Sequence, residues 1–227
     1  MTPFPFDAVV FDCDGVLVDS EPITNGVLRD MLQELGWVLS LEECMRTFVG
    51  KAVKDEIAMI EEKTGFRLTQ EWLLGFQKRR NEALDRDLLE VPGAPSAVRA
   101  LHARLQGRIA CASGADRRKV ELQLKKVGIL DCFEGRVFSG HETPRSKPAP
   151  DVYLAAAHAL DADPQRCAVI EDTVTGAMAG LAAGATVFGY SPGGAGHSSA
   201  DALRAVGVAQ IFTDMGRLPE VLAGYTA

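Results

Sequence analysis

Paired cysteines, long apolar runs, repeats and an excess of positive charge are all missing from this chain of 227 residues. The five cysteines, Cys13, Cys44, Cys111, Cys132 and Cys167, form no C-x-x-C pair. That argues against a structural zinc site, and an odd number fits poorly with a disulfide framework. They read as reduced, buried thiols of a cytoplasmic protein. No apolar run approaches the roughly 20 residues needed to cross a bilayer. Met1 to Phe6 offers no basic segment leading into a long apolar run, so no secretory leader is expected. The net charge of −7 argues against nucleic acid or an anionic membrane as partner. Nothing in the sequence fixes the oligomeric state.

What is present falls into two textures. From Ser20 to about Glu90 the chain reads as successive helices. Val27, Leu28, Met31, Leu32 and Leu35 recur at helical spacing, with Gly36 as a stop. Ser40 followed by Glu43 has the form of a capping box. A long helix from Thr69 to about Leu88 turns Trp72, Leu73, Phe76 and Leu84 to one side, and Lys78, Arg79 and Arg80 read as a solvated face. After Val91-Pro92-Gly93-Ala94-Pro95, helices over 95–106, 116–127, 150–160 and 174–183 alternate with short apolar runs. These runs are Ile109–Ala112, Val137-Phe138, Cys167–Ile170, Thr186–Phe188 and Ile211-Phe212. Continuously apolar strands separated by helices indicate a parallel sheet covered on both faces. The strand Ala8–Phe11 belongs with them but is cut off by the helical block. The expected class is α/β: a Rossmann-like parallel sheet core from 1–17 and 91–227, with an inserted helical cap at 18–90.

Open parallel sheets bind ligands beyond the carboxyl ends of their strands, so the residues following each apolar run are the candidates. Asp12-Cys13-Asp14-Gly15 follows the first, Ser113-Gly114 the second and Glu171-Asp172 the fourth, while Lys147 lies in the loop after the third. Two carboxylates at a buried strand end repel each other unless a cation or proton intervenes. With Glu171 and Asp172 they make an oxygen-rich site suited to a hard cation such as Mg2+. A carboxylate can also attack phosphorus to give an acyl phosphate, and a second can protonate the leaving oxygen and then activate water. Gly15 lets the backbone turn closely around a phosphoryl group. Ser113 and Lys147 would hold its oxygens and offset the negative charge.

Four segments carry a family resemblance: Phe11–Ser20, Ser113, Ser146–Asp151 and Ile170–Gly176. In this order they resemble the four motifs of the haloacid dehalogenase superfamily, over essentially the whole chain. The likeness implies a Rossmann-like core with an inserted cap, as in the beta-phosphoglucomutase and phosphoglycolate phosphatase branch. It implies Asp12 as nucleophile, Asp14 as acid/base, and Mg2+ held by the Asp12 side chain, the Asp14 carbonyl and Asp172, with Glu171 supporting or ligating through water. Gly114 stands where Asn or Ser often follows the motif serine, and Thr173 where Ser is commoner. Dehalogenating members lack the second aspartate of the first motif, so Asp14 favours phosphoryl transfer.

The expected function is therefore hydrolysis of a small phosphorylated metabolite through an aspartyl phosphate. A mutase is the enzymatic alternative, and a non-catalytic binding protein on the same fold is the other. Mutases of this kind carry a cap histidine shortly after the first motif, where this chain has Thr24 and Asn25. Its histidines, His102, His141, His158 and His197, lie outside the cap, and only His141 and His197 occupy loops that could face the site. Arg46 and Lys51, with Lys54, flank the cap turn Phe48-Val49-Gly50 and could meet a second anionic group on the substrate. Segments 46–50 and 137–148 look most like sugar-acid phosphatases of the 6-phosphogluconate type. The loop Ser191–Gly196 lacks the spacing of a nucleotide cradle.

Overall fold

The computed structural model describes residues 4–194 and 196–226. Met1–Pro3, where the leader reading begins, and Ala195 of the glycine-rich loop lie outside that range. The strands are β1 (Ala8–Phe11), β2 (Ile109–Ser113), β3 (Val137–Ser139), β4 (Cys167–Glu171), β5 (Thr186–Tyr190) and β6 (Gln210–Phe212). They form one sheet in the order β3-β2-β1-β4-β5-β6, with every pairing parallel. Alternation along β1 explains the burial on both faces. Val9 and Phe11 enter one apolar cluster with Ala97, Leu101 and Leu124, whereas Ala8 and Val10 enter a second with Ala156, Ala177 and Leu203. Helices α5 (Ala94–Arg104), α6 (Arg117–Lys126) and α10 (Leu218–Ala223) cover the first face. Helices α7 (Asp151–Ala159), α8 (Val174–Ala182) and α9 (Ala200–Val206) cover the second. The strand order reverses at β1, which opens a crevice at its carboxyl end.

Between β1 and β2 lie α1 (Glu21–Glu34), α2 (Leu41–Phe48), α3 (Ile57–Thr64) and α4 (Gln70–Asp87). They share an apolar cluster of their own, centred on Leu28, Leu32, Phe48, Ile60 and Phe76. The capping box at Ser40 forms in both directions, with Glu43 receiving the Ser40 amide and Ser40 receiving that of Glu43. Two short connections join these helices to the sheet. The Asp19 amide donates to the Leu89 carbonyl at 3.0 Å, and the Val91 amide to that of Leu17 at 3.1 Å.

One part of the sequence reading is corrected by this packing. Lys78 and Arg79 are exposed, but Arg80 is buried and reaches Asp116 at the start of α6, 2.8 Å away. The reason is periodicity: 76, 80 and 84 share one face of α4, and Phe76 and Leu84 on either side are also buried. A cation on that face is sustained because the Asp116 carboxylate meets it and Asn81 Oδ1 accepts from its Nε and Nη2. No helix among the described residues is long and apolar enough to cross a membrane.

Candidate active site

The carboxyl ends of β1, β2 and β4 meet beneath α1 and α4, around a cleft of about 550 Å³. Asp12, Asp14, Ser113, Gly114, Lys147 and Glu171 all line it, so four chain-distant segments converge as the strand ends require. Lys147 is the hub. Its ammonium donates to Asp12 Oδ1 at 2.7 Å, Glu171 Oε1 at 2.7 Å, the Tyr153 hydroxyl at 2.8 Å and the Ala112 carbonyl at 3.1 Å. Tyr153 in turn donates to Glu171 Oε1 at 2.6 Å. The other Glu171 oxygen accepts the Asp172 and Thr173 amides and the Thr173 hydroxyl. Both Glu171 oxygens are thus held by the protein, which fixes the carboxylate in place.

Burial pushes the Asp12 carboxyl up to about 7, against the pull of Lys147 and with help from Glu171 and Asp14. Asp172 is driven well above the carboxylate range by burial and by the nearby Glu171 and Asp12 charges. Its Oδ1 is buried without any hydrogen-bond partner among the described residues. Asp12, Glu171 and Asp172 offer oxygens that all lie within 4.8 Å of one another. An orphaned buried carboxylate oxygen in an all-oxygen cluster fits a hard divalent cation. Gly15 takes part through its size: a Cβ there would sit 2.2 Å from Asp172 Oδ2, on a backbone at φ +75°. Only glycine accommodates both demands.

Asp14 faces away from that cluster. Its Oδ1 accepts from the Ser20 hydroxyl, from Gln123 Nε2 at 2.8 Å and from Lys119 Nζ at 2.8 Å. Burial would raise this carboxyl, but Lys119, Ser20 and Gln123 together outweigh it and bring it to about 2. Ser113 is buried and its hydroxyl accepts the Ala115 amide at 3.1 Å. The missing side chain at Gly114 leaves open space, with nothing within 4 Å of where a Cβ would stand.

The candidates on the cap divide. Lys51 and Lys54 line the main cleft, Lys51 standing 3.5 Å from Glu56. Arg46 does not join them. It lines a second, smaller cavity beside Gly50, Thr173 and His197, because α2 turns it away from the cleft. Of the two loop histidines, His141 borders the main cleft, lowered first by burial and then by Lys54. His197 Nε2 lies 3.1 Å from the Gly15 carbonyl and 4.0 Å from Asp172 Oδ2.

Sequence reasoning missed Ser20, Glu21, Lys119, Gln123 and Tyr153. Lys119 and Gln123 are four apart near the start of the helix that follows Ser113, a spacing that puts both on one face. Tyr153 sits in the first turn of the helix after Lys147, and Glu21 directly follows the first motif. Glu21 lines the cleft, is held by Asn25 Nδ2 at 2.7 Å, and is raised to about 7 by burial and then by the Asp14 charge. The spacing of α6 was a usable signal; the inward turn of Glu21 was not.

A doubly wound parallel sheet with a buried carboxylate–lysine centre at its crevice, roofed by inserted helices, defines an α/β enzyme with a capped acidic site. Residues 6–184 match the haloacid dehalogenase-like hydrolase family, and the chain belongs to it. It is 31% identical over 183 residues to a 6-phosphogluconate phosphatase of Escherichia coli, covering 80% of this chain and 81% of that protein. A haloacid dehalogenase family hydrolase from Deinococcus radiodurans, solved with bound phosphate and sodium, superposes with a TM-score of 0.76 at 36% identity, covering 97% and 96% of the two chains. CbbY from Rhodobacter sphaeroides, solved with phosphate, has a TM-score of 0.76 at 22% identity over 94% of this chain and 96% of its own, a likeness of fold alone.

Proposed function

We propose that this chain, a phosphoric monoester hydrolase of its family, removes the phosphate of a sugar or sugar-acid phosphate, 6-phosphogluconate being the leading candidate, through an aspartyl phosphate on Asp12. The observation that carries the reading is the arrangement around Lys147: a buried carboxylate held at 2.7 Å by an ammonium whose side chain is only 9% exposed, at the floor of a capped cleft. One Asp12 oxygen is tied by Lys147, which leaves the other to attack phosphorus. The bond from Asp12 to phosphorus forms as the ester P–O bond breaks, and the departing alkoxide takes a proton from Asp14. Asp14 then removes a proton from water, whose oxygen attacks phosphorus, and Asp12 leaves as a carboxylate with inorganic phosphate released.

Asp14 is ionised at neutral pH before substrate arrives, given its position near 2. A phosphate dianion entering the same pocket raises its proton affinity, so that it takes up a proton from solvent and holds it for the departing alkoxide. Lys147 and Ser113 would bind the phosphoryl oxygens, with Gly114 leaving them room. Asp12 and Asp172 would hold Mg2+, with the Asp14 carbonyl, and Glu171 would fix the surrounding charges. That ion would neutralise charge on the phosphoryl group.

We take residues 18–90 as the cap, pivoting on the paired connections at Leu17–Asp19 and Leu89–Val91. Lys51 and Lys54 supply a cationic rim for a carboxylate on the leaving group, and Glu21 a hydroxyl acceptor. The name of the Escherichia coli relative supports a sugar-acid substrate. The test is phosphate release from a panel of sugar, sugar-acid and glycolate phosphates, with Mg2+ and with EDTA. A beta-hexose phosphate primed with a trace of its bisphosphate is followed in parallel for isomerisation. Mg2+-dependent release led by a sugar-acid phosphate is expected. Isomerisation without release, or silence on both, would overturn the reading.

A further inference from the structure

The two oxygens of Asp14 are treated very differently. Oδ1 collects three donors, from Ser20, Gln123 and Lys119, whereas no described residue donates to Oδ2. Two of the three come from α6 on the core, four residues apart, and both are buried. Gln123 is itself fixed. The Cys13 thiol donates to its Oε1 at 3.4 Å, which decides which end of the amide meets Asp14. Lys119 is fixed at its backbone, since its amide donates to Asp116 Oδ1 at 3.0 Å, and Asp116 is gripped by Arg80. An acid/base must be aimed at the reacting oxygen within a fraction of an ångström. A carboxylate anchored through one oxygen presents the other in a single direction.

We propose that Lys119 and Gln123, with Cys13 behind Gln123, are positioning residues that aim Asp14 Oδ2 at the leaving-group oxygen and then at water. Ser20 stands just before the first helix of the inserted block and its hydroxyl bonds Asp14 instead of capping that helix, so this bond crosses the connection on which the cap pivots. The α6 pair belongs to the core and keeps its hold whatever the cap does. This rests on the phosphatase reading above.

The test uses the leaving group. An alkoxide must be protonated as it departs, while p-nitrophenolate leaves unaided, so kcat/KM for an alkyl phosphate depends on the aim of Asp14 and kcat/KM for p-nitrophenyl phosphate depends on it far less. Lys119→Met and Gln123→Leu are compared with wild type and Asp14→Asn on both substrates. The ratio of the two kcat/KM values is independent of how much enzyme is folded. Asp14→Asn is expected to lower the alkyl-to-aryl ratio by about a hundredfold or more, within the range for general acid catalysis. Lys119→Met and Gln123→Leu should each lower it by about tenfold, and Lys119→Arg should recover part of that loss. A collapsed ratio in Asp14→Asn with wild-type ratios in both α6 variants would overturn the positioning role and leave the phosphatase reading intact. An unchanged ratio in Asp14→Asn would overturn both.

Discussion

Glycine to alanine inside a helix ordinarily stabilises a protein by about 0.5–1 kcal/mol, because glycine loses more freedom on folding. In this chain the same substitution should change sign with position. Gly176 lies in the first turn of α8, and a Cβ there would stand 1.7 Å from Glu171 Oε1 and 2.0 Å from its carboxyl carbon. Glu171 would have to leave its place. It would then forfeit Lys147 at 2.7 Å, Tyr153 at 2.6 Å, and the amides of Asp172 and Thr173. Removing one partner of a buried ion pair costs about 3–5 kcal/mol. Even after the helix gain of about 1 kcal/mol, Gly176→Ala should be destabilised by roughly 2–4 kcal/mol. For a chain of this size that is a fall in Tm of about 5–15 °C. Gly26 in α1 and Gly75 in α4 have nothing within 4 Å of the added carbon. Gly26→Ala and Gly75→Ala should therefore raise Tm by about 2 °C each. Thermal unfolding followed by circular dichroism on the three variants, with phosphatase assays alongside, decides the matter. A Gly176→Ala protein as stable as the two controls and fully active would refute the account of Glu171 as a fixed strut.

Other outcomes follow from the same geometry. Mg2+ should raise the Tm of wild type and release protons on binding, because Asp12 sits near 7 and Asp172 well above its ordinary range without the ion. Calorimetry in buffers of different ionisation enthalpy reads the protons, and Asp172→Asn should abolish both signals; an unchanged Tm shift in that variant would remove Asp172 from the metal site. Asp116 is held below its ordinary range by Arg80, whose pull together with the Lys119 amide exceeds the opposing effect of burial. A depressed carboxyl contributes stability above its unfolded pKa and loses it as pH falls through the folded value. The stability gap between wild type and Arg80→Met should accordingly be full at neutral pH and shrink below about pH 4; denaturant titrations across that range showing a constant gap would refute it. Lys51→Ala should shift preference among substrates through KM, and Arg46→Ala, facing the smaller cavity, should leave the preference profile as it was. Equal effects in the two variants would show that position in the main cleft does not govern selection.

Much of the architecture is written in local pattern. Short unbroken apolar runs such as Cys167–Ile170, too short for helices of their own, read as strands buried on both faces, and the helices between them indicate a parallel sheet. That decision alone brings Asp12, Ser113, Lys147 and Glu171 to one edge, since every parallel strand ends on the same side. The meeting of these groups at one edge was therefore legible from the sequence. What one residue does to another was not. Arg80 looked like part of a solvated run, and only the approach of α6 supplied the carboxylate that lets it be buried. Arg46 and Lys51 are five residues apart in the chain, yet the turn at Gly50 sends them into different cavities. Nor could spacing show that Asp14 is anchored through one oxygen by Lys119 and Gln123, more than 100 positions away. Sequence period fixes which face of a helix or strand is apolar, because that depends on backbone geometry alone. Which polar groups meet across elements depends on how those faces dock, and that is settled only when the whole chain has packed.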